Sequence, residues 1–164
     1  MSLARRSYIE VCTLMSSKFY PQWWNTTITV YNRYKDKTTQ VVTWFRHVIP
    51  GCFWKYTGNT VNVGQTVLET KDIICRVPEQ DNFLERYQWE ALPNDKMSES
   101  FTLSPEDIIV RGEVEDEIDE YAKGKRSTDL LEKYKKAQGC MEVEQVALNV
   151  GGGRNEPHYY VKGV

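Results

Sequence analysis

The sequence has almost no net charge. Its 164 residues include 21 lysines and arginines against 23 aspartates and glutamates, which gives a formal net charge of −2. A protein that binds nucleic acid or an anionic membrane by electrostatic attraction has a clear basic excess, because its cations must neutralise phosphate groups. We therefore expect no strong general attraction of this chain to either partner.

Cysteine is scarce, and its positions are far apart. The four cysteines are Cys12, Cys52, Cys75 and Cys140, and none belongs to a C-x-x-C pair. Structural zinc sites usually take their ligands from closely spaced pairs. We therefore expect no metal site and no cofactor.

Long apolar runs are missing as well. Residues 1–15 are interrupted by Arg5, Arg6 and Glu10, so they lack the apolar centre of a secretory signal. No segment approaches the roughly 20 apolar residues that a membrane-spanning helix needs. We expect a chain with reduced thiols and no membrane partner.

Residues suited to catalysis are few. The chain has two histidines, His47 and His158, and neither a G-x-S-x-G nor an H-E-x-x-H pattern occurs. We expect no catalytic residues and no enzymatic activity. One alternative stays open, a small hydrolase in which a histidine activates the thiol of Cys52 or Cys75.

What the sequence does contain is a series of short segments rich in β-branched and aromatic residues. Such alternating segments predict strands. They span residues 26–32, 39–49, 52–56, 60–63, 72–78, 107–112, 142–150 and 158–163. Turns are expected at Pro50-Gly51 and Gly58-Asn59, because proline and glycine favour turn dihedral angles. Short strands with regular breaks favour an antiparallel sheet that curls into a barrel or sandwich.

One helix is predicted near the end of the chain, at about residues 128–138. Its apolar side chains share one face, and Gly139 follows as the expected terminator. Residues 1–25 are predicted to be an irregular N-terminal extension whose Trp23 and Trp24 dock on the domain. Residues 26–164 then form a single β-rich domain. The predicted fold class is mainly β, a barrel-like antiparallel sheet with one C-terminal helix, at the margin of α+β.

Three segments are candidates for partner-facing surfaces. The first is 79–104, which holds Trp89 and has little periodicity. The second is the acidic stretch 113–120, in which Glu113, Glu117 and Glu120 would share one face of a helix. A metal site would explain this stretch, but a solvated acidic face or a docking surface for a basic partner has more support, because the glycine spacing of a Ca²⁺ loop is missing.

The third candidate surface is the loop Gly151-Gly152-Gly153-Arg154. Its backbone N–H groups are able to cradle an anion, but a phosphate loop would continue into a Lys-Ser/Thr pair and a helix. The better interpretation is a hairpin tip that becomes ordered against a neighbouring subunit.

Aromatic residues next to basic ones leave a second alternative open, a barrel that stacks single-stranded bases. The candidate pairs are Lys55-Tyr56, Arg86-Tyr87 and Tyr31 with Arg33. Against this alternative, the basic residues are dispersed and balanced by acids. Trp, Tyr and Arg also concentrate binding energy at protein interfaces.

Several short motifs follow one another in an order that resembles a known group of proteins. The motifs are Thr-Val-Tyr-Asn-Arg-Tyr (29–34), Val-Ile-Pro-Gly-Cys-Phe-Trp (48–54), Asp-Ile-Ile-Cys-Arg-Val-Pro (72–78), Ser-Pro-Glu-Asp-Ile-Ile-Val-Arg-Gly-Glu-Val (104–114) and Pro-His-Tyr-Tyr-Val-Lys-Gly (157–163). Their order resembles small minor capsid or head–tail connector (head-completion) proteins of tailed phages and prophages of Gram-positive bacteria. The N-terminal 25 residues have no counterpart in that pattern.

The resemblance implies a structural virion protein without a catalytic centre. Its partners would be other virion proteins, the portal or adaptor and tail-side proteins, with DNA present only as channel cargo. It implies a homo-oligomer that forms a ring in the assembled particle and is a monomer in solution. The protein would be found in the virion, and in the host cytoplasm during assembly. Loops would become ordered against neighbouring subunits by strand addition or aromatic docking.

Overall fold

The computed structural model describes residues 20–137, 139–150 and 156–164. The strands in this part are β1 (Thr26–Lys35), β2 (Val42–Val63), β3 (Thr66–Pro78), β4 (Ile108–Arg111), β5 (Cys140–Asn149) and β6 (His158–Gly163). The helices are α1 (Arg86–Glu90), α2 (Asn94–Met97) and α3 (Ser127–Lys135).

The strands form a closed antiparallel barrel in the order β1-β2-β3-β6-β5-β4, and β4 pairs with β1 to complete it. In β4-β1-β2-β3, three consecutive strands are followed by a fourth that returns beside the first, which is the Greek-key arrangement. The predicted fold class, a curled antiparallel sheet with one C-terminal helix, is confirmed. Closure removes the unpaired edges that an open sheet would leave.

The core fills the barrel and continues under α3. Apolar side chains from the strands and from segment 79–104 fill the inside of the barrel. They include Ile28, Val30, Cys75, Ile109 and Val161. A second cluster lies between the outer face of the barrel and α3. It consists of Tyr31, Ile108, Val110, Leu130 and Cys140. Strand β4 is therefore buried on both faces, as its uninterrupted Ile-Ile-Val sequence requires.

Strand β2 is longer than predicted, because it includes both expected turns. At Pro50-Gly51 the chain stays in the strand, and Gly51 adopts a positive φ of 73°. Gly58 and Asn59 also continue the strand, because β2 pairs with β3 without a break from Phe53 to Val63. The reversal occurs instead at Gly64, where φ is 64°. Continuous pairing with β3 here outweighs the turn preference of Gly58-Asn59.

The helical predictions need smaller corrections. Helix α3 covers Ser127–Lys135 rather than 128–138. Asp129 lies at its third position, where the carboxylate accepts the Arg126 backbone N–H at 3.0 Å. Segment 79–104 also contains the two short helices α1 and α2, which no clear periodicity predicted.

The lead-in to β1 packs on the barrel in part. Trp24 is nearly buried, stacks on Tyr20 with ring centroids 5.3 Å apart, and meets the His158 ring edge-on. The Tyr20 hydroxyl donates to Pro157 O at 2.6 Å. Docking of Trp24 is thus confirmed, but Trp23 is 67% exposed and does not dock. The remainder of the predicted N-terminal extension, 1–19, lies outside the described residues.

Candidate protein-interaction site

Trp89 is not a surface residue, which corrects its prediction as a partner-facing side chain. It is fully buried, and its indole Nε1 donates to Met97 O and Ser100 O, each at 3.2 Å. Its ring meets Phe45 of β2 edge-on at 5.5 Å. The large apolar ring thus fixes segment 79–104 against β2, and its one polar atom is satisfied locally.

The acidic stretch is extended rather than helical, so Glu113, Glu117 and Glu120 do not share a helical face. We name residues 113–121 the acidic strap. Along it, side chains alternate between solvent and protein: Glu113 and Glu117 are exposed, whereas Val114, Asp116 and Ile118 are half-buried. Both predicted strap residues therefore lie on the surface. Among the residues that the structure describes, no group of three or more His, Cys, Asp or Glu side chains is arranged to hold a metal ion.

Hydrogen bonds to the barrel and to α3 anchor the acidic strap. The Tyr31 hydroxyl donates to Asp116 O, and Arg46 Nε donates to Val114 O, both at 2.6 Å. The Asp116 carboxylate accepts Lys133 Nζ at 2.7 Å and the Tyr134 hydroxyl. These two hydrogen bonds lower the pKa of Asp116. The strap is therefore a fixed surface feature that presents a row of carboxylates to solvent.

A buried polar network joins β1 to the start of β4. Its centre is Asp107, whose carboxylate is fully buried. Asn32 Nδ2 donates to it at 2.9 Å, Arg33 N at 2.9 Å and Ser104 N at 3.0 Å. Arg86 Nη1 lies 3.4 Å from it, and Arg86 also donates to Arg33 O. Every partner is a donor, so the network is built for an ionised carboxylate.

Burial acts against this ionised form. Desolvation raises the pKa of Asp107 to about 6, although the hydrogen bond from Arg33 N and the nearby Arg86 charge lower it in part. At neutral pH the carboxylate is still ionised and binds Arg86. Because Arg86 belongs to α1 and binds both Asp107 and Arg33 O, the network clamps helix α1 to the barrel wall. Within the helix, Arg86 is held by Glu90 at 2.7 Å and lies over the Trp89 ring.

The β2–β3 hairpin extends beyond the barrel as a two-stranded ribbon, which we define as residues 57–72. Pairing of β2 with β1 ends at Cys52, and pairing of β3 with β6 begins at Ile73. Between these limits β2 and β3 pair with each other alone among the described strands. An isolated two-stranded ribbon has little stability of its own, because one face packs on nothing.

Towards the tip of the ribbon, one face is mainly apolar. Pairing places Val61 opposite Leu68 and Val63 opposite Thr66, so these side chains point to the same side. Val61, Val63 and Leu68 are 47%, 57% and 50% exposed. The other face carries Glu69 and Lys71 together with Val67, which is 61% exposed. The sequence predicted a strand at 60–63 but missed its partner, although Thr66-Val67-Leu68 after Gly64-Gln65 is a signal for it.

A cleft of about 750 Å³ lies between α3 and the base of the ribbon. Tyr56 and Ile73 are among the residues that line it, and its basic side chains are Lys71, Lys133, Lys135 and Lys136. Asp129 and Glu132 of α3 also line it and offset part of this charge.

The residues proposed for the two alternatives do not form one site, although Tyr56 of the pair Lys55-Tyr56 lines the cleft. Tyr31 is buried and Arg86 belongs to the Asp107 network, so neither is free to stack or bind a base. Cys52 and Cys75 are core residues, and burial raises the pKa of the Cys75 thiol, which disfavours the thiolate that a nucleophile needs. The predicted loop residues Gly151, Gly152, Gly153 and Arg154 lie outside the described residues.

Within the described part of the chain, no helix is both long and apolar enough to cross a membrane. The model of a family of unknown function, DUF6751, matches residues 23–164. The chain belongs to this family. The DUF6751 match covers the whole barrel and begins near the predicted start of the domain at residue 26. No curated protein and no solved structure matches the chain.

Proposed function

We propose that the chain is a structural virion protein of a tailed phage or prophage, a head–tail connector or minor capsid component that acts by protein–protein assembly. Its partners are other virion proteins, on the portal or adaptor side and on the tail side, and further copies of itself in a ring. It resides in the virion, and in the host cytoplasm during assembly.

The observation that carries this proposal is the exposed apolar face of the ribbon. Val61, Val63 and Leu68 lie on a hairpin arm that the barrel does not cover. Contiguous apolar surface of this kind marks sites of protein interaction, because water is released when a partner covers it. A closed barrel with a projecting arm supports assembly, since the barrel fixes the base of the arm and the arm reaches a neighbour.

The order of the five sequence motifs between residues 29 and 163 supports the phage setting, and gene order tests it. We expect genes for a portal protein, a major capsid protein and a tail-tube protein beside the gene for this chain. A metabolic operon in their place would count against the proposal.

The ribbon's part in assembly is tested by complementing a phage or prophage that lacks this gene. A triple variant, Val61→Thr, Val63→Thr and Leu68→Thr, keeps residues that favour strands but removes the apolar face. We expect a titre of infectious particles at least about tenfold lower than with the unchanged chain, which corresponds to a loss of about 1.4 kcal/mol in one assembly contact. The matched control is Val67→Thr on the opposite face. Equal titres for the triple variant and the control would contradict the proposal.

The lysine-lined cleft favours a second candidate function, binding of single-stranded nucleic acid. Lysines that neutralise phosphates would make the affinity fall steeply as salt is added. An electrophoretic shift assay with a single-stranded oligonucleotide, repeated over a range of salt concentrations, tests this candidate. Lys135→Ala with Lys136→Ala would weaken a shift that depends on the cleft, and no shift at low salt would exclude the candidate.

A further inference from the structure

We propose that the outer edge of β2 in the ribbon pairs with the same edge in a second copy of this chain. The two ribbons then form one four-stranded antiparallel sheet around a two-fold axis. This inference rests on the proposed assembly function and names a partner for the ribbon. Because a two-fold contact closes on itself, copies in a ring meet through other surfaces of the chain.

The edge is available because β2 changes partners where it leaves the barrel. Up to Cys52 it lies between the barrel strands, and from Phe53 to Val63 it pairs with β3. In the described residues, no strand pairs with the other side of β2 over 57–63. An edge of this kind presents backbone N–H and C=O groups in the spacing of a ladder, ready for another strand.

The β2 edge also lacks the features that usually protect an exposed edge. From Thr57 to Thr66 the sequence contains no charged residue and no proline. Edge strands are normally blunted by lysine, proline or a bulge, which oppose pairing with a second chain. Strand β3, on the other side of the ribbon, carries Glu69, Lys71 and Asp72. Pairing through β2 is therefore favoured over pairing through β3.

The edge is complementary to itself. With the two-fold axis at Thr60, antiparallel pairing sets Thr57 of one copy opposite Val63 of the other, and no charged side chains face one another. Paired residues lie on the same face of a sheet. Val61, Val63 and Leu68 of both copies would therefore lie on one face of the four-stranded sheet, and the same edge of each copy forms the contact, as an isologous interface requires. The combined sheet would present twice the apolar area of a single ribbon.

The experiment measures the mass of the full chain in solution by size-exclusion chromatography with light scattering, from micromolar to millimolar concentration. We expect the mass to approach twice the chain mass of 19.2 kDa as the concentration rises. Thr60→Lys places two like charges at the axis. We expect it to raise the dissociation constant of the dimer by about tenfold or more. Thr60 is exposed and pairs with Glu69 of its own chain. All of these variants are therefore made in a Glu69→Thr background, so that no carboxylate lies directly across from position 60. Gln65→Lys at the turn is the matched control and should dimerise like the unchanged chain.

A mixture of the Thr60→Lys and Thr60→Glu variants supplies the decisive readout. We expect each variant alone to be mainly monomeric and the mixture to recover the dimer, because opposite charges then meet at the axis. A purely structural effect of either substitution would not be rescued by mixing. The inference is overturned by an unchanged chain that stays monomeric at all concentrations, by a Thr60→Lys variant that dimerises normally, or by a mixture that stays monomeric. If the chain is found in phage particles but is monomeric in solution, this inference alone is overturned. If the chain dimerises in solution but is absent from phage particles, the proposed function is overturned.

Discussion

Asn32 and Asp107 are 75 positions apart in the sequence, yet the Asn32 side-chain amide donates to the Asp107 carboxylate at 2.9 Å. The same amide donates to Thr102 O at 2.6 Å, and Asn32 Oδ1 accepts the Thr102 N–H. One buried polar pair thus connects the middle of β1 to the residues on which segment 79–104 returns to the barrel. Because Arg86 of α1 binds the same carboxylate, the stability of that segment depends on Asp107.

Replacing Asp107 should therefore destabilise the fold strongly. In Asp107→Ala, the donors from Asn32, Arg33 and Ser104 lose their acceptor, and the Arg86 guanidinium loses its counter-charge. We expect a loss of about 2–4 kcal/mol in the free energy of unfolding, measured by urea denaturation. Glu106→Ala is the control, since it removes only the exposed ion pair with Arg33. Its expected cost is below about 1 kcal/mol. Equal losses for both variants would show that the network is not needed.

The raised pKa of the Asp107 carboxyl group predicts how the stability of the fold changes with pH. The folded-state pKa of Asp107 is about 6, whereas an unfolded aspartate titrates near about 3.9. Between these values the folded chain binds more protons than the unfolded chain, so the contribution of Asp107 to stability increases as the pH falls through 6. The advantage of the unchanged chain over Asp107→Asn should grow by about 1 kcal/mol from pH 7 to pH 5.

Urea denaturation of both chains at the two pH values measures this difference and cancels the titration of other groups. If the stability advantage of the unchanged chain over Asp107→Asn shrinks as the pH falls, the pKa of Asp107 is lower in the folded chain than in the unfolded chain. That result would then show that the hydrogen-bond donors around the carboxylate outweigh burial.

The acidic strap should loosen when its contact with α3 is removed. In Tyr134→Phe the Asp116 carboxylate loses one of its two side-chain donors. We expect a cost of about 1 kcal/mol in stability and faster amide hydrogen exchange in residues 113–121. Glu117→Gln changes an exposed carboxylate of the same strap and serves as the control. Unchanged exchange rates in Tyr134→Phe would mean that the strap is held by its other contacts.

Gly163 should tolerate no side chain at all. A Cβ atom there would lie 2.1 Å from Glu142 O, a backbone atom of β5, at the position where β6 joins β3 to β5. Gly163→Ala should therefore cost about 3 kcal/mol or more, measured as a lower urea midpoint. Gly58→Ala in the ribbon is the matched control, because its nearest contact is an ordinary 3.5 Å to the Tyr56 ring. A Gly163→Ala variant as stable as that control would show that β5 and β6 can separate without cost.

Local patterns predicted the elements well and their long-range contacts poorly. Segments rich in β-branched and aromatic residues located β1, β6 and the second half of β3, and the apolar run Ile108–Val110 marked β4, whose burial on both faces was not predicted. The turn at Gly64 was missed because Gly58-Asn59 is a stronger local turn signal, and only pairing with β3 overrides it. Trp89 was assigned to the surface because its polar surroundings in the sequence give no sign of the Phe45 ring that covers it.

For the candidate sites, too, local features could be predicted from the sequence and long-range contacts could not. Exposure of Glu113 and Glu117 followed from composition, because a run of carboxylates cannot be buried without partners. The composition gave no indication that Asp107 is the centre of a polar network, because its partners Asn32 and Arg86 come from distant segments of the sequence. The apolar face of the ribbon depends on the register between β2 and β3, which a one-residue shift would invert.

The measurement that tests the proposed virion role most directly is quantitative mass spectrometry of purified tailed particles, produced by the strain that carries this gene. We predict that the chain is present in several copies per particle, in a fixed ratio to the portal protein. Particles that infect normally and contain none of this chain would contradict the assignment of the chain as a virion component.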